Sequence, residues 1–367
     1  MIRNSKTRVA ADRLRNAWLG RVSGCLLGKP LEVLSFQQGR AGIADYLGRA
    51  GALPLRGYVP MLEGTVVERT GKLCCAGHMR RAEPDDDINY TVLALVLLER
   101  HGAALTTEDV ARAWLNLLPG GTTWTAERAA YRTLLARMDD EFVNGAPPGF
   151  DLAECSENAC NDWIGAQIRA DLYGWVCPGN PDLAVRLATA DAALSHRGEG
   201  VNGARFVAAL GALIPVSASI RDALDEALHF LPPDSAAAAA VRFATALGNG
   251  EPAVDRLYDR FGDLSPVHTL NNLALVAWAL HSFDGDFSAA IGNVVTAGWD
   301  TDCNGATVGG LLGLAGAAIP EHWISPWNGR VGTALAGIGE LAIDDLVTRT
   351  QTVEAALGAE GTRLDPR

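Results

Sequence analysis

Two groups of carboxylates in this 367-residue chain could do chemistry together. Asp85-Asp86-Asp87 stands between Pro84 and a long apolar run that ends near Glu99, and Asp300-Thr301-Asp302 precedes Cys303-Asn304 and a Gly-rich apolar run. Aspartates at i and i+2 do not share a helix face, so they converge on one point only in a loop or at a helix start. A helix N-terminus also favours negative charge. Such oxygen-rich sets suit a hard divalent cation such as Mg²⁺. By itself Asp-x-Asp is ordinary cap or turn chemistry, and an Asp N-cap with acidic neighbours is an ordinary helix start. Three aspartates in a row exceed what a cap uses, because like charges repel unless a cation neutralises them. The clusters stand about 215 residues apart, so a joint site would tie both halves of the chain into one domain.

The elements that must position them read as helices. Val9, Leu14, Trp18, Val22, Cys25 and Leu26 predict a helix over 8–28, with Gly20, Gly24 and Gly28 giving a face for close helix packing. Pro30 is expected to end it, leaving the carboxylate Glu32 just beyond. Residues 34–84 read as irregular, with a short strand at 64–68. Helical periods then predict helices near 107–118, 124–138, 159–172, 181–195, 201–215, 220–230, 234–248, 267–281, 286–297, 303–318 and 335–357, with a loop over 139–156. Alternating strands are missing, which disfavours βαβ architectures. The expectation is an all-α fold in a single domain over 1–367, with a core at about 10–320 and a C-terminal helical extension over 330–367.

Composition narrows the function classes. Apolar residues make up 48% and charged residues 20%, enough for a sizeable core and too few charges for a disordered chain. The net charge of −12 with no Lys/Arg cluster argues against nucleic acid as a partner. Seven scattered Cys do not form a disulfide framework and read as reduced thiols in a cytoplasm. Residues 1–6 carry no apolar leader, and no run approaches the ~18 apolar residues of a membrane span.

Three blocks, in this order, resemble the ADP-ribosylglycohydrolase family: Gly24-Cys25-Leu26-Leu27-Gly28-Lys29-Pro30-Leu31-Glu32, Asp85-Asp86-Asp87, and Asp300-Thr301-Asp302-Cys303 with its Gly/Ala-rich helix. Ser195-His196-Arg197-Gly198-Glu199-Gly200 resembles the family's His loop near the ligand, and Gly165-Ala166-Gln167-Ile168-Arg169 a segment that carries an Asn where this chain has Ile164. The resemblance implies a compact orthogonal helical bundle with two Mg²⁺ (or Mn²⁺) ions in a cleft. The ions would be held by Asp85, Asp86, Asp87, Asp300 and Asp302. Glu32, Asp86 and Asp302 would carry the catalysis, and His196, Gly165 and Asn304 would meet the substrate. Asp85 replaces the family's Thr or Ser, and Cys303 its ligating Thr; a thiol matches Mg²⁺ poorly.

The chemistry is coherent. Cleaving a ribosidic bond passes through a cation-like transition state. Metal ions can hold the ribose diol and orient or activate a water, and a carboxylate such as Glu32 can act as base. The expected function is a metal-dependent hydrolase of an N- or O-ribosidic bond, acting as a monomer on an ADP-ribosylated protein or a ribosylated small molecule. The departures tilt this toward a free metabolite. A catalytically silent ADP-ribose-binding protein that keeps the cleft is the alternative, and a two-metal phosphoester hydrolase is a third reading without a supporting motif.

Overall fold

Helix α1 (Ala11–Arg49) lies antiparallel to a helix far away in sequence, Thr301–Ala315, and the two meet through glycine. A Cβ on Gly20 would lie 2.1 Å from the Gly309 carbonyl oxygen, one on Gly24 1.9 Å from that of Gly305, and one on Gly28 2.2 Å from that of Thr301. From the other side, a Cβ on Gly313 would lie 2.1 Å from the Asn16 carbonyl oxygen. No other residue fits where two backbones approach this closely.

The computed structural model describes residues 8–360, and the leader reading of residues 1–6 lies outside them. The fold is all-α. After α1 come α2 (Val66–Gly71), α3 (Asp86–His101), α4 (Thr107–Leu117), α5 (Thr125–Arg137), α6 (Asp171–Trp175), α7 (Pro181–Ala192) and α8 (Gly198–Leu213). Then follow α9 (Ile220–Ala227), α10 (Ala236–Thr245), α11 (Glu251–Phe261), α12 (Thr269–Ser282), α13 (Phe287–Ala297), α14 (Thr301–Ala315), α15 (Glu321–Ile324) and α16 (Ile343–Glu360). One antiparallel hairpin joins β1 (Arg330–Gly332) to β2 (Glu340–Ala342). Helices α1, α3, α8, α12 and α14 are buried along most of their length.

Several expectations are corrected. Pro30 does not end the first helix; α1 runs on to Arg49, with a kink at Gly39 (φ +62°). Pro30 is buried, and a Cβ on Gly71 would lie 2.3 Å from its Cα, so α2 packs directly on it. Thr301 Oγ1 donates to the Gly28 carbonyl at 2.8 Å, in the turn the proline loosens. The strand expected at 64–68 is instead a Thr65 N-cap, accepting from the Glu68 N–H, and the start of α2. The helix expected over 159–172 is a loop followed by 3₁₀ turns at Ile164–Arg169. α11 was not foreseen, and 335–357 opens with β2 before α16. The C-terminal segment packs back on the fold: the Trp18 indole donates to Thr350 Oγ1 at 3.0 Å, and the Ala334 N–H donates to Asn89 Oδ1 on α3 at 2.9 Å.

Candidate metal centre

Three elements bring the carboxylates together. Asp85 is the N-cap of α3: its backbone is extended (φ −144°, ψ 154°), and Oδ1 accepts from the Asp87 N–H at 3.0 Å. α14 begins after a tight turn with Gly298 at φ +94° and Trp299 at φ +57°. That turn is held from three sides. Trp299 stacks on Tyr258 of α11 with ring centroids 4.4 Å apart. Ser35 Oγ of α1 donates to the Trp299 carbonyl at 2.7 Å, and the Asp300 N–H donates to Asn272 Oδ1 of α12 at 3.2 Å. The third element is α1, which presents Lys29 and Glu32 three residues apart and therefore on one face. The uninterrupted helix through Pro30 is what puts both side chains in the site.

Among the described residues three groups of potential ligand atoms result, each with all atoms within 4.8 Å of one another: Cys25/Asp85/Asp87, Asp87/Asp302/Cys303 and Glu32/Asp300/Asp302. Asp85, Asp87, Asp300 and Asp302 are buried, whereas Glu32 and Asp86 are partly accessible. Two basic side chains enter the cluster. Lys29 Nζ lies 2.8 Å from Asp85 Oδ2, 2.9 Å from Glu32 Oε2 and 3.1 Å from Asp302 Oδ2. Buried Arg21 donates to Asp171 Oδ2 at 2.8 Å, to the Asp87 carbonyl at 2.9 Å, to Asp87 Oδ1 at 3.3 Å and to the Ile168 carbonyl.

The two cations do not satisfy the set. Asp87 Oδ2, Asp300 Oδ1 and Asn304 Oδ1 are buried without a hydrogen-bond partner. Electrostatics agree. Burial and then the charge of Asp302 push Glu32 up to about 8, against the pull of Lys29. Burial, with Asp85 next, raises Asp86 well above the usual carboxylate range. Burial raises Asp87 despite Arg21, and burial followed by Asp302 raises Asp300. Burial also works to raise Asp85, but Lys29 and the Asp87 N–H outweigh it and hold it low. Cys303 is a neutral thiol, its ionisation opposed by burial and then by Asp300. Orphaned hard oxygens with suppressed ionisation fit a divalent cation. A cavity of about 270 Å³ reaches Cys25, Lys29 and Asp85 past Arg69 and Lys72.

Asn304 stands in the first turn of α14, and its Nδ2 donates to Asn272 Oδ1 at 2.7 Å. His196 and Gly165 meet elsewhere. Both adjoin Glu127: His196 Nε2 is 3.8 Å from Glu127 Oε1, and a Cβ on Gly165 would lie 1.9 Å from that oxygen. Burial, then Arg169, lowers the His196 pKa well below its ordinary value, so the ring is neutral. Buried Arg169 donates to Glu127 at 2.7 Å, Asp191 at 2.8 Å and Ser195 Oγ at 2.9 Å, which makes it a structural charge node. It also lies over the Tyr90 ring at 5.4 Å, so this network backs the face of α3 one turn beyond the aspartates.

Sequence reasoning missed Lys29, Arg21, Asn272 and Tyr258. The i, i+3 spacing of Lys29 and Glu32 was a usable signal, lost once the helix was ended at Pro30. Arg21, Asn272 and Tyr258 carry no local signal, because each acts across a long-range contact.

An all-α fold with carboxylates converging at two helix starts defines a class of buried acidic, cation-accepting centres. The chain matches the ADP-ribosylglycohydrolase family over residues 6–356, and it belongs to that family. It is 28% identical over 174 residues to an uncharacterised protein of Archaeoglobus fulgidus. That match covers 46% of this chain and 55% of the relative, so it spans only about half the relative's length. Among solved structures, an ADP-ribosylglycohydrolase-related protein complex is similar in fold at 19% identity and a TM-score of 0.51, covering 95% of this chain and 100% of that one. Among the described residues no helix is long and apolar enough to cross a membrane.

Proposed function

We propose that the chain is a metal-dependent hydrolase of an N- or O-ribosidic bond, releasing an ADP-ribosyl or related ribosyl group from a protein side chain or a small metabolite. Membership of the family supports the reaction class. The observation that carries metal dependence is the pair of orphaned buried oxygens, Asp87 Oδ2 and Asp300 Oδ1. Asp85, Asp86, Asp87, Asp300 and Asp302 would hold Mg²⁺ or Mn²⁺, which when bound supplies Lewis-acid binding of ribose oxygens and activation of water. Glu32 is partly accessible and raised to about 8, so it takes the proton of the attacking water as that water's oxygen bonds to the ribosyl carbon. The bond to the leaving nitrogen or oxygen breaks with its electron pair, and the leaving group collects a proton. Neighbouring carboxylates favour the positive charge that develops at that carbon. Asn304 Oδ1 is free to accept from a ribose hydroxyl. His196 and Gly165 enter this reading through Glu127 and Arg169, which brace α3.

The test is a hydrolysis panel with Mg²⁺ or Mn²⁺: ADP-ribosyl-arginine, ADP-ribosyl-serine, O-acetyl-ADP-ribose and simple nucleosides. Turnover of at least one, lost on chelation and in Asp302→Asn, is expected; no turnover of any by folded, metal-loaded protein would sink the activity. Cys303, within ligand distance of Asp87 and Asp302, favours a second reading as a silent ADP-ribose-binding protein. Calorimetry separates the two, since metal-independent binding without turnover supports the second.

A further inference from the structure

Lys29 touches a member of each of the three ligand groups. Asp85 belongs to the first, Asp302 to the second and third, and Glu32 to the third. An ammonium has three N–H donors, and here three carboxylates from three separate elements lie within 3.1 Å of it. The lysine is not a surface side chain that happens to drape inward. Its backbone is pinned one residue away, where Gly28 packs on the Thr301 carbonyl and accepts the Thr301 hydroxyl. Its side chain is only 28% exposed. Asp85 Oδ2, Asp87 Oδ2 and Asp300 Oδ1 have no hydrogen-bond partner; of these the ammonium faces Asp85 Oδ2, and Asp302 links Asp87 to the Lys29 contacts.

We propose that the Lys29 ammonium stands in for one of the two divalent ions, so that the centre binds a single divalent cation, held by Asp87 and Asp302. The inference rests on the metal-dependent reading above and specifies its stoichiometry. A divalent ion beside Asp85 and Glu32 would have to displace the ammonium from three carboxylates or sit against a like charge. Repulsion between a doubly charged ion and an ammonium at contact range is twice that between two single charges. An ion between Asp87 and Asp302, whose ligand atoms lie within 4.8 Å of each other, meets Asp87 Oδ2, which has no hydrogen-bond partner.

The experiment is Mn²⁺ binding by equilibrium dialysis, with electron paramagnetic resonance of the bound ion, on the full chain and on Lys29→Ala. The wild type is expected to bind one Mn²⁺ per chain with the spectrum of an isolated ion. Lys29→Ala is expected to bind two, with a spin-coupled spectrum. Two ions per chain in the wild type would overturn the proposal while leaving the metal-dependent reading intact; one ion in both proteins would also overturn it. No Mn²⁺ bound by either protein would overturn that reading together with this one. Lys29→Met, which keeps the aliphatic stem, replaces the alanine variant if circular dichroism shows that the latter does not fold.

Discussion

Replacing Gly24 by Ala tests whether the glycine seam sets the geometry of the carboxylates. In an ordinary helix interior this change stabilises by about 1 kcal/mol, since Ala is the better helix former. At Gly24 the new Cβ would lie 1.9 Å from the Gly305 oxygen and 2.3 Å from its carbon, about 1.5 Å short of the 3.4 Å where ordinary contact begins. The obstacle is a helix backbone, which cannot rotate aside. α1 and α14 must therefore part, and the neighbouring glycine contacts at Gly20 and Gly28 open with them. Overpacking of this kind costs about 1–3 kcal/mol, and more where backbone must move. Set against the propensity gain, and with a helix backbone that must move, the net is a destabilisation of about 2 kcal/mol or more. Gly48 is the matched control, in the same helix, exposed and with nothing within 4 Å of a new Cβ. Gly48→Ala should be neutral or stabilising by up to about 1 kcal/mol. Urea midpoints with a common m-value report both. Parting the helices also moves Asp300 and Asp302 away from Lys29 and Glu32, so Gly24→Ala should weaken Mn²⁺ binding in calorimetry while Gly48→Ala leaves it unchanged. Equal urea midpoints for the two variants, with unchanged Mn²⁺ affinity, would refute the reasoning.

Cys303→Thr replaces a neutral, buried thiol at the cluster with a hard oxygen. Mg²⁺ affinity should rise and Cd²⁺ affinity fall, read by calorimetry with each ion, because Asp87 and Asp302 then have a hard oxygen beside them in place of a thiol. Arg169→Met removes a buried guanidinium that Glu127 and Asp191 both need. Denaturant unfolding should show a loss of about 3–5 kcal/mol, the usual cost of stranding buried charge, and a loss below ~1 kcal/mol would contradict the structural role.

What the sequence made legible were features with local causes. Asp85 caps α3 through the Asp87 N–H two residues on, and Asp302 sits in the first turn of α14; both follow from helix-start chemistry. The spacing of Gly20, Gly24 and Gly28 announced a close helix contact, although not its partner. What stayed hidden was tertiary. Pro30 reads as a stop because proline removes a helix hydrogen bond, but α1 runs on through it with Gly71 packed directly against it. Ending the helix there hid the shared face of Lys29 and Glu32. Residues 159–172 have apolar residues at helical spacing, yet Trp163 pairs with His268 in an isolated bridge and the Ile164 N–H donates to the Val267 carbonyl, so the segment is tied to the chain before α12. α11 was missed although its apolar face is regular, because Gly248, Gly250 and Pro252 read as a break.

The protein buries charge in two ways, and the contrast bears on why the acidic cluster exists. Around Arg169 every guanidinium nitrogen donates to a partner, and Glu127 and Asp191 each receive a bond from it. That is what a structural charge node requires. At the centre, six carboxylates (Glu32, Asp85, Asp86, Asp87, Asp300 and Asp302) face, among the described residues, the two cationic side chains Lys29 and Arg21, and buried oxygens are left over. Folding alone gains nothing from that excess, because each unpaired buried carboxylate opposes the native state. A cation that binds only the native arrangement relieves it. At a hundred times its dissociation constant, such an ion stabilises the fold by about 2.7 kcal/mol. Mn²⁺ should therefore raise the urea midpoint of the wild type, and Asp302→Asn, which removes the carboxylate shared by two ligand groups, should lose that response while keeping its ion-free stability or gaining some. If ion-free Asp302→Asn were instead strongly destabilised and Mn²⁺ left the wild-type midpoint unchanged, the carboxylates would belong to the fold and not to a cation.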